Sequence, residues 1–271
     1  MTRHLTNFSL PRGNQADEAW EIFHENSKLN EYERFLPDEL MTLYMDQVLQ
    51  SLSYDTFPEV NLPAALTNLD LAFSEVLAKR ETARALHPTR LKLEDLATLL
   101  HHAYGVTRDN KDQVFQRPFR SVPSADALYP LELFFHTTHV TGLAAGLYHY
   151  NPIRNSVSFL RGGDHSGLIA AALTQKHLAI SASLIVFITA MFERTTLKYG
   201  NRGYRFVLLE AGHVAQNLSL VAAALDLGCV SIGGYFDREI DELFSFDGLT
   251  QSTIYLLALG EKVVDPPAAE S

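Results

Sequence analysis

The stretch Leu197–Leu227, LKYGNRGYRFVLLEAGHVAQNLSLVAAALDL, limits what this chain can fold into more than any other. It opens with a polar segment, interrupted by Gly200 and Gly203, that carries Lys198, Tyr199, Arg202, Tyr204 and Arg205. From Phe206 it continues as a helical pattern that is apolar on nearly every side. A helix of that kind belongs in a core. Glu210, His213, Gln216, Asn217 and Ser219 interrupt it, and each costs free energy in an apolar setting unless it finds a partner. Either these groups satisfy one another and the backbone, or they face something polar that the protein binds.

The flanking patterns say what the long helix packs against. Leu184 to Phe192, LIVFITAMF, and Thr253 to Leu259, TIYLLAL, are continuous apolar runs of the kind found in strands buried on both faces. Leu131 to Val140, Gly146 to Tyr150 and Val157 to Leu160 read as a strand meander, with turns at Thr141–Gly142 and Pro152–Asn155. Leu66, Leu69, Ala72, Phe73, Val76 and Leu77 recur at helical spacing and predict a helix over Ala64 to Arg80. Leu91 to Tyr104 predicts a second, stopped by Gly105. Leu168 to Leu178 and Ile240 to Phe246 read as further helices. Residues 1–62, with short helical patterns at Glu18 to Phe23 and Pro37 to Leu52, read as an N-terminal extension, and residues 63–271 as the main domain. Helices first, then strands interleaved with a buried helix, give an α+β class: a central mixed or antiparallel sheet flanked by helices.

A chain of 271 residues with 46% apolar residues can bury a sizeable core. A net charge of -10 argues against general nucleic-acid binding, which needs a basic footprint. One cysteine, Cys229, permits no internal disulfide and points to a reducing compartment, hence a cytoplasmic protein. The opening MTRHLTNFSLPRGNQ lacks the apolar run of a signal peptide. The central helix is interrupted by Glu210, His213 and Asp226, which argues against a membrane span.

Five groups can carry chemistry, and each has a plainer reading. Arg80, Thr82 and Arg84 put two guanidiniums and a hydroxyl within five residues, a set suited to phosphate; a solvated basic helix end explains the same spacing. Pro123, Ser124 and Ala125 let backbone approach a flat ligand; a loop-to-strand turn also fits. Lys198 and Tyr199 can form an acid–base pair, since an ammonium favours phenolate, or can be ordinary loop side chains. Gly233–Gly234 either present backbone N–H groups or mark a strand end. Gln216–Asn217 suit the edge of a heterocycle or an internal network. For Glu210 and His213, three apart, a structural anchoring role is the better reading. The histidine pairs His101–His102 and His136/His139 lack cysteine or carboxylate companions at ligand spacing, so no metal site is expected.

Taken in order, these groups resemble one family. KRETAR (79–84), a leucine-rich helix ending AYG (103–105), RSVPSADALYPLE (120–132), GLYHYNP (146–152), KYGNRGYR (198–205) with EAGHVAQNLSLVA (210–222), and IGGYFD (232–237) are together similar to the SagB-type dehydrogenases. FHENSKLN (23–30) resembles the region preceding their core. These are FMN-dependent enzymes of the nitroreductase fold that oxidise azolines to azoles in ribosomally made peptides. The resemblance implies that Arg80, Thr82 and Arg84 hold the flavin phosphate and ribityl chain. It implies that Pro123, Ser124 and Ala125 line the isoalloxazine, that Gln216 and Asn217 lie near it, and that backbone at Gly233 and Gly234 approaches N5. Lys198 and Tyr199 match the pair taken as catalytic, with Tyr199 as the base and Lys198 lowering its pKa, or the roles exchanged. A homodimer with the cofactor at its interface, a precursor peptide substrate and cyclodehydratase partner subunits are implied too. One position departs: Asp126 stands where the family motif has glycine, which raises a question of backbone geometry at positive φ and of a carboxylate near the flavin. The rival readings are a general NAD(P)H-dependent flavin reductase on the same fold and a non-catalytic scaffold subunit.

Overall fold

The computed structural model describes residues 19–31, 37–111 and 117–263. The N-terminal stretch read for a signal, residues 112–116 of the loop before Arg117 and the Pro266–Pro267 tail lie outside the described residues. In chain order the elements are α1 Ala19–Asn26, α2 Asp38–Gln47, β1 Glu59–Asn61, α3 Phe73–Lys79, β2 Leu86–His87, α4 Leu93–Tyr104, β3 Val106–Arg108, β4 Phe119–Arg120, β5 Leu131–Thr137, β6 Gly146–Asn151, β7 Ser156–Gly162, α5 Ser166–Ala172, α6 Lys176–Ser181, β8 Leu184–Met191, α7 Glu193–Tyr199, α8 Asn201–Ala224, β9 Leu227–Ile232, α9 Asp237–Phe244 and β10 Gln251–Lys262.

Eight strands form one sheet, every pairing antiparallel, in the order β1-β7-β6-β5-β8-β10. Beyond β10 lies β9, while β2 flanks the end of β10 from the other side: Glu261 is opposite Leu227 and opposite His87. The apolar runs of β8 and β10 follow from what covers the sheet. Leu184, Val186, Ile188 and Ala190 join a core with Val207, Ala211, Val214 and Leu218 of α8 and Leu96, Leu99 and Leu100 of α4. Ile185 and Phe187, pointing the other way, join a core with Ile169 of α5, Leu178 of α6 and Ile240 of α9. Both faces are dry, so neither shows the polar alternation of a half-exposed sheet.

The expected class, a central antiparallel sheet with helices and a long core helix, is what the structure shows. Four local expectations are corrected. The helix over Ala64 to Arg80 is confined to α3; Leu66 and Leu69 reach the core from irregular chain. Thr67 explains this, since its N–H and hydroxyl bind Thr98 and Asp95 of α4, contacts that compete with helix bonds. Leu168 to Leu178 is split into α5 and α6, because Leu173 bridges to Tyr235 and the Thr174 N–H donates to the Gly234 carbonyl. Gly105 stops α4 with φ -72°, not with a left-handed turn: a Cβ there would lie 2.6 Å from the His101 carbonyl oxygen.

The fourth correction concerns the central stretch. Its helix begins at Asn201, not Phe206, and Lys198–Tyr199 close the preceding helix α7. Gly200, at φ +53°, makes the break between them. Gly203 lies inside α8, where a Cβ would come within 2.8 Å of Thr196 Cα, so it permits close helix contact rather than loop freedom. By length and composition α8 meets the minimum for a bilayer span, but the stripe from Val207 to Ala222 packs on the sheet. Its other face is open: Leu208 and Leu209 are 43% and 60% exposed, beside exposed Gly212, His213 and Gln216. Glu210 and His213 thus part company, one buried and one in solvent.

Candidate functional site

Three regions carry the groups singled out in the sequence. The first is the loop between β4 and β5. Asp126, Ala127 and Tyr129 all have positive φ, at 50°, 52° and 46°. Left-handed backbone at an alanine and a tyrosine is strained, and such strain persists only where the surroundings enforce it. The Tyr129 N–H donates to Ser124 Oγ at 3.0 Å, its hydroxyl accepts from the Arg120 N–H at 2.9 Å, and its carbonyl accepts from Arg194 at 3.2 Å. The Arg120 guanidinium stacks on the rings of Tyr104 and Tyr129 and donates to the Gln50 carbonyl, while Nε and Nη1 are buried without partners among the described residues.

Two buried carboxylates lie under this loop. Glu132 of β5 meets Arg194 at 2.7 Å and His149 Nε2 at 2.8 Å, and accepts from the Ser51 hydroxyl and the Leu52 N–H. Burial alone would raise Glu132, but the charge of Arg194 and the bond from His149 hold it down at about 2. Glu210 of α8 accepts from the Tyr104 hydroxyl at 2.9 Å. Burial pushes Glu210 up to about 7, against the opposing pull of Ser124, Tyr104 and the two arginines, Arg120 and Arg194.

The second region is the end of α7. The Lys198 ammonium and the Tyr199 hydroxyl both donate to Asp126 Oδ2. Asp126 is held below the usual carboxylate range: burial works the other way, but the two hydrogen bonds and the Lys198 charge outweigh it. Tyr199 is pushed up, by burial first and then by the bond to Asp126 and its charge. This opposes the expectation that Lys198 lowers the Tyr199 pKa: the ammonium's charge is met by Asp126 before it reaches the phenol. Helix α1 sits close by, with Phe23 edge-on to Tyr204 at 5.2 Å and Arg205 donating to Ser27 Oγ and the His24 carbonyl.

The third region is a cleft of about 820 Å³. Pro123 and Ser124 line it from the loop, Asn217, Leu220 and Ala224 from α8, Leu69, Phe73 and Val76 from around α3, and Arg108 from β3. Asn217 also donates to the His102 carbonyl at 3.1 Å, whereas Gln216 faces solvent. Of the sequence-predicted groups, the structure brings Pro123, Ser124 and Asn217 together here, and Lys198 and Tyr199 together on Asp126. Ala125, Gln216, Lys198 and Tyr199 do not line the cleft.

Arg80, Thr82 and Arg84 lie on the short link from α3 to β2, pinned to β9 by the Ala83 N–H donating to the Cys229 carbonyl. They do not line the cleft either. The side chains of Arg80 and Arg84 have no hydrogen-bond or ion-pair partner among the described residues. Gly233 and Gly234 end β9, both exposed. Around Gly233 there is open space, while a Cβ on Gly234 would strike Thr174 Oγ1 at 2.5 Å, so packing explains the second glycine. Sequence reasoning missed Tyr104, Arg120, Glu132 and Arg194 as parts of the site. The available signal was a carboxylate in the middle of the apolar run YPLELFF.

This architecture has known counterparts. The nitroreductase family model matches residues 77–261, and the chain belongs to the nitroreductase family. A protein of Methanocaldococcus jannaschii, provisionally described as a nitroreductase, is 38% identical over 195 residues, 72% of this chain and 93% of that one. The microcin B17-processing protein McbC of Escherichia coli is 28% identical over 158 residues, covering 52% of this chain and 54% of McbC. The solved E. coli microcin synthetase McbBCD complex, with truncated pro-microcin bound, aligns at TM-score 0.59 and 19% identity, over 90% of this chain and 92% of the matched one. A nitroreductase from Desulfovibrio desulfuricans, solved in complex with FMN, aligns at TM-score 0.50 and 15% identity, over 74% of this chain and 92% of that one. At such identities the structural matches speak for the fold alone.

Proposed function

We propose that this chain is an FMN-dependent oxidoreductase that dehydrogenates thiazoline or oxazoline rings of a ribosomally made peptide to thiazoles or oxazoles. The observation that carries this reading is the Lys198–Tyr199 pair. It sits on the last turn of α7, and both side chains turn to the strained loop that bears Pro123 and Ser124. Ring dehydrogenation removes one proton from carbon and two electrons with a second hydrogen, so the protein must supply orientation and a path for the proton. FMN, when bound, supplies the two-electron acceptor.

The residues present fit that cofactor. Two guanidiniums without partners among the described residues and the Thr82 hydroxyl on one short link are a donor set for a phosphate monoester, and Arg80 and Arg84 can each bind it through two N–H groups. Pro123, Ser124, Ala125, Gln216 and Asn217 supply the small side chains and amides suited to a flat heterocycle, and the open space at Gly233 admits it to the backbone. Within one chain these groups fall in separate regions. Together with the open Leu208–Leu209 face of α8, this supports a homodimer that completes each flavin site. The 28% likeness to the microcin B17-processing protein McbC supports a ribosomally made peptide as substrate, and cyclodehydratase partners are what the sequence resemblance implies.

The test is mass spectrometry of an azoline peptide incubated in air with the yellow, FMN-loaded protein. The expected product is lighter by two hydrogens for each ring. Lys198→Ala and Tyr199→Phe should retain flavin and lose product; complete azole formation by both variants would sink the assignment of the pair. An unchanged peptide with rapid bleaching of the flavin by NADH would instead favour a general flavin reductase, the reading closer to the description of the Methanocaldococcus relative. A colourless protein that takes up no FMN would favour a scaffold subunit.

A further inference from the structure

Asp126 of the loop accepts a hydrogen bond from each member of the Lys198–Tyr199 pair. Its backbone, at φ 50° and ψ 30°, lies in the left-handed region, and that conformation aims the carboxylate at the end of α7. We propose that Asp126 is a positioning residue of this site: its carboxylate holds Tyr199 as a neutral phenol beside the Lys198 ammonium, so that Tyr199 enters the reaction as a hydrogen-bond donor and not as a base. The proposal takes from the proposed function only that Lys198 and Tyr199 form the reaction edge.

The charges around the phenol carry the argument. Asp126 faces it from the loop and Lys198 from its own helix. From α2, Tyr44 packs on the same Met41–Leu128 pair as Tyr199. Helix α8 presents the uncharged ring of Phe206, perpendicular to that of Tyr199 at 5.0 Å. Ionising Tyr199 would set a phenolate against the carboxylate that now accepts its proton, while the Lys198 charge is already engaged by that carboxylate. With the carboxylate gone, the ammonium lies 5.5 Å from the centre of the Tyr199 ring and favours phenolate. A residue without a carboxylate at this position would therefore leave a Lys–Tyr pair suited to take a proton, and Asp126 reverses that preference. A surface ion pair of no consequence predicts no change in how Tyr199 titrates.

Asp126→Gly and Asp126→Asn test this, and both residues suit positive φ, so the loop is kept. The full-length protein, labelled at the ring carbon bearing the hydroxyl of its 11 tyrosines, is followed by NMR as pH is raised to 10.5. The Tyr199 signal is identified by its loss in Tyr199→Phe. In the wild type it should stay at the phenol position throughout. In both variants burial remains but the carboxylate does not, so the signal should begin to move toward phenolate at a lower pH than in the wild type. A Tyr199 signal that behaves identically in wild type and variants overturns the proposal. No peptide enters the measurement, so its failure is distinct from failure of the azoline reading; where azole formation is seen, its alkaline limb should move down in the same variants.

Discussion

Glu132 and Glu210 sit under the same loop and respond to pH in opposite senses. Burial costs both their charge. Glu132 recovers it from Arg194 and His149 and is held at about 2, below its unfolded value. The stability it contributes is present above about pH 4.5 and is lost as pH falls toward 2. Glu210 has Tyr104 and Ser124 but no paired cation and stands at about 7, above its unfolded value. The unfolded chain therefore ionises first. Stability falls as pH rises from about 4.5 to about 7 and is level beyond. Chemical denaturation across pH 4.5 to 8 should show wild type losing on the order of 2–3 kcal/mol through this group. Glu210→Gln keeps an acceptor for Tyr104 and should lack that loss. Equal slopes in the two proteins would show that Glu210 does not titrate in this window. Glu132→Gln should instead cost about 3–5 kcal/mol at pH 7, because it strands Arg194 in the core. The anchoring role of Glu210 was legible from an acid on an apolar helix. Its separation from His213 was not, because a spacing of three allows a shared face without saying where the edge of the burial falls.

Among the elements, legibility followed how completely each was buried. β8, β10 and α4 were plain in the sequence because their apolar runs or stripes answer to cores on known sides. Where side chains make bonds that replace backbone ones, pattern reading failed: Thr67 unwinds the start of the helix expected over Ala64 to Arg80, and Leu173 and Thr174 cut α5 from α6. The joint between α7 and α8 failed for another reason. Two glycines three apart read as one flexible loop, yet Gly200 breaks a helix and Gly203 lets the next one lie on it. That joint sets the position of Lys198 and Tyr199. Gly203→Ala places a methyl group 2.8 Å from Thr196 Cα, and the contact is with backbone, which cannot rotate away. The substitution should cost about 1–3 kcal/mol, read as a lower denaturation midpoint with an unchanged slope. Because the shift occurs beneath Lys198, turnover of the FMN-loaded protein should fall further than flavin content. Unaltered stability and turnover would show that α7 yields freely and that the joint does not set the pair.

At the scale of the molecule, the sequence placed the flavin groups in one list, but one folded chain separates them. Pro123, Ser124 and Asn217 face the cleft, Arg80 and Arg84 lie outside it without partners among the described residues, and Gln216 points to solvent from the open face of α8. A residue list carries no information about which part of the fold presents each member, so this division was illegible before the fold was known. The open face offers the means to join them. Leu208 and Leu209 are large, exposed and adjacent on a helix whose opposite side is fully committed to the sheet. An apolar surface of that kind is favourable in water only when covered. In a two-fold pairing each helix meets its own copy, so a charge introduced there appears twice and opposes itself. Leu208→Asp with Leu209→Asp leaves every core contact of α8 in place. The doubly substituted protein should sediment at the monomer mass with native circular dichroism and lose most of its FMN absorbance, while Arg80→Ala should lose FMN and sediment as the wild type does. A dimer that survives the two aspartates with its flavin would move the interface to another face. A monomer that keeps its flavin would mean that one chain builds the whole site, with Arg80 and Arg84 turned toward the cofactor by a movement of the link between α3 and β2.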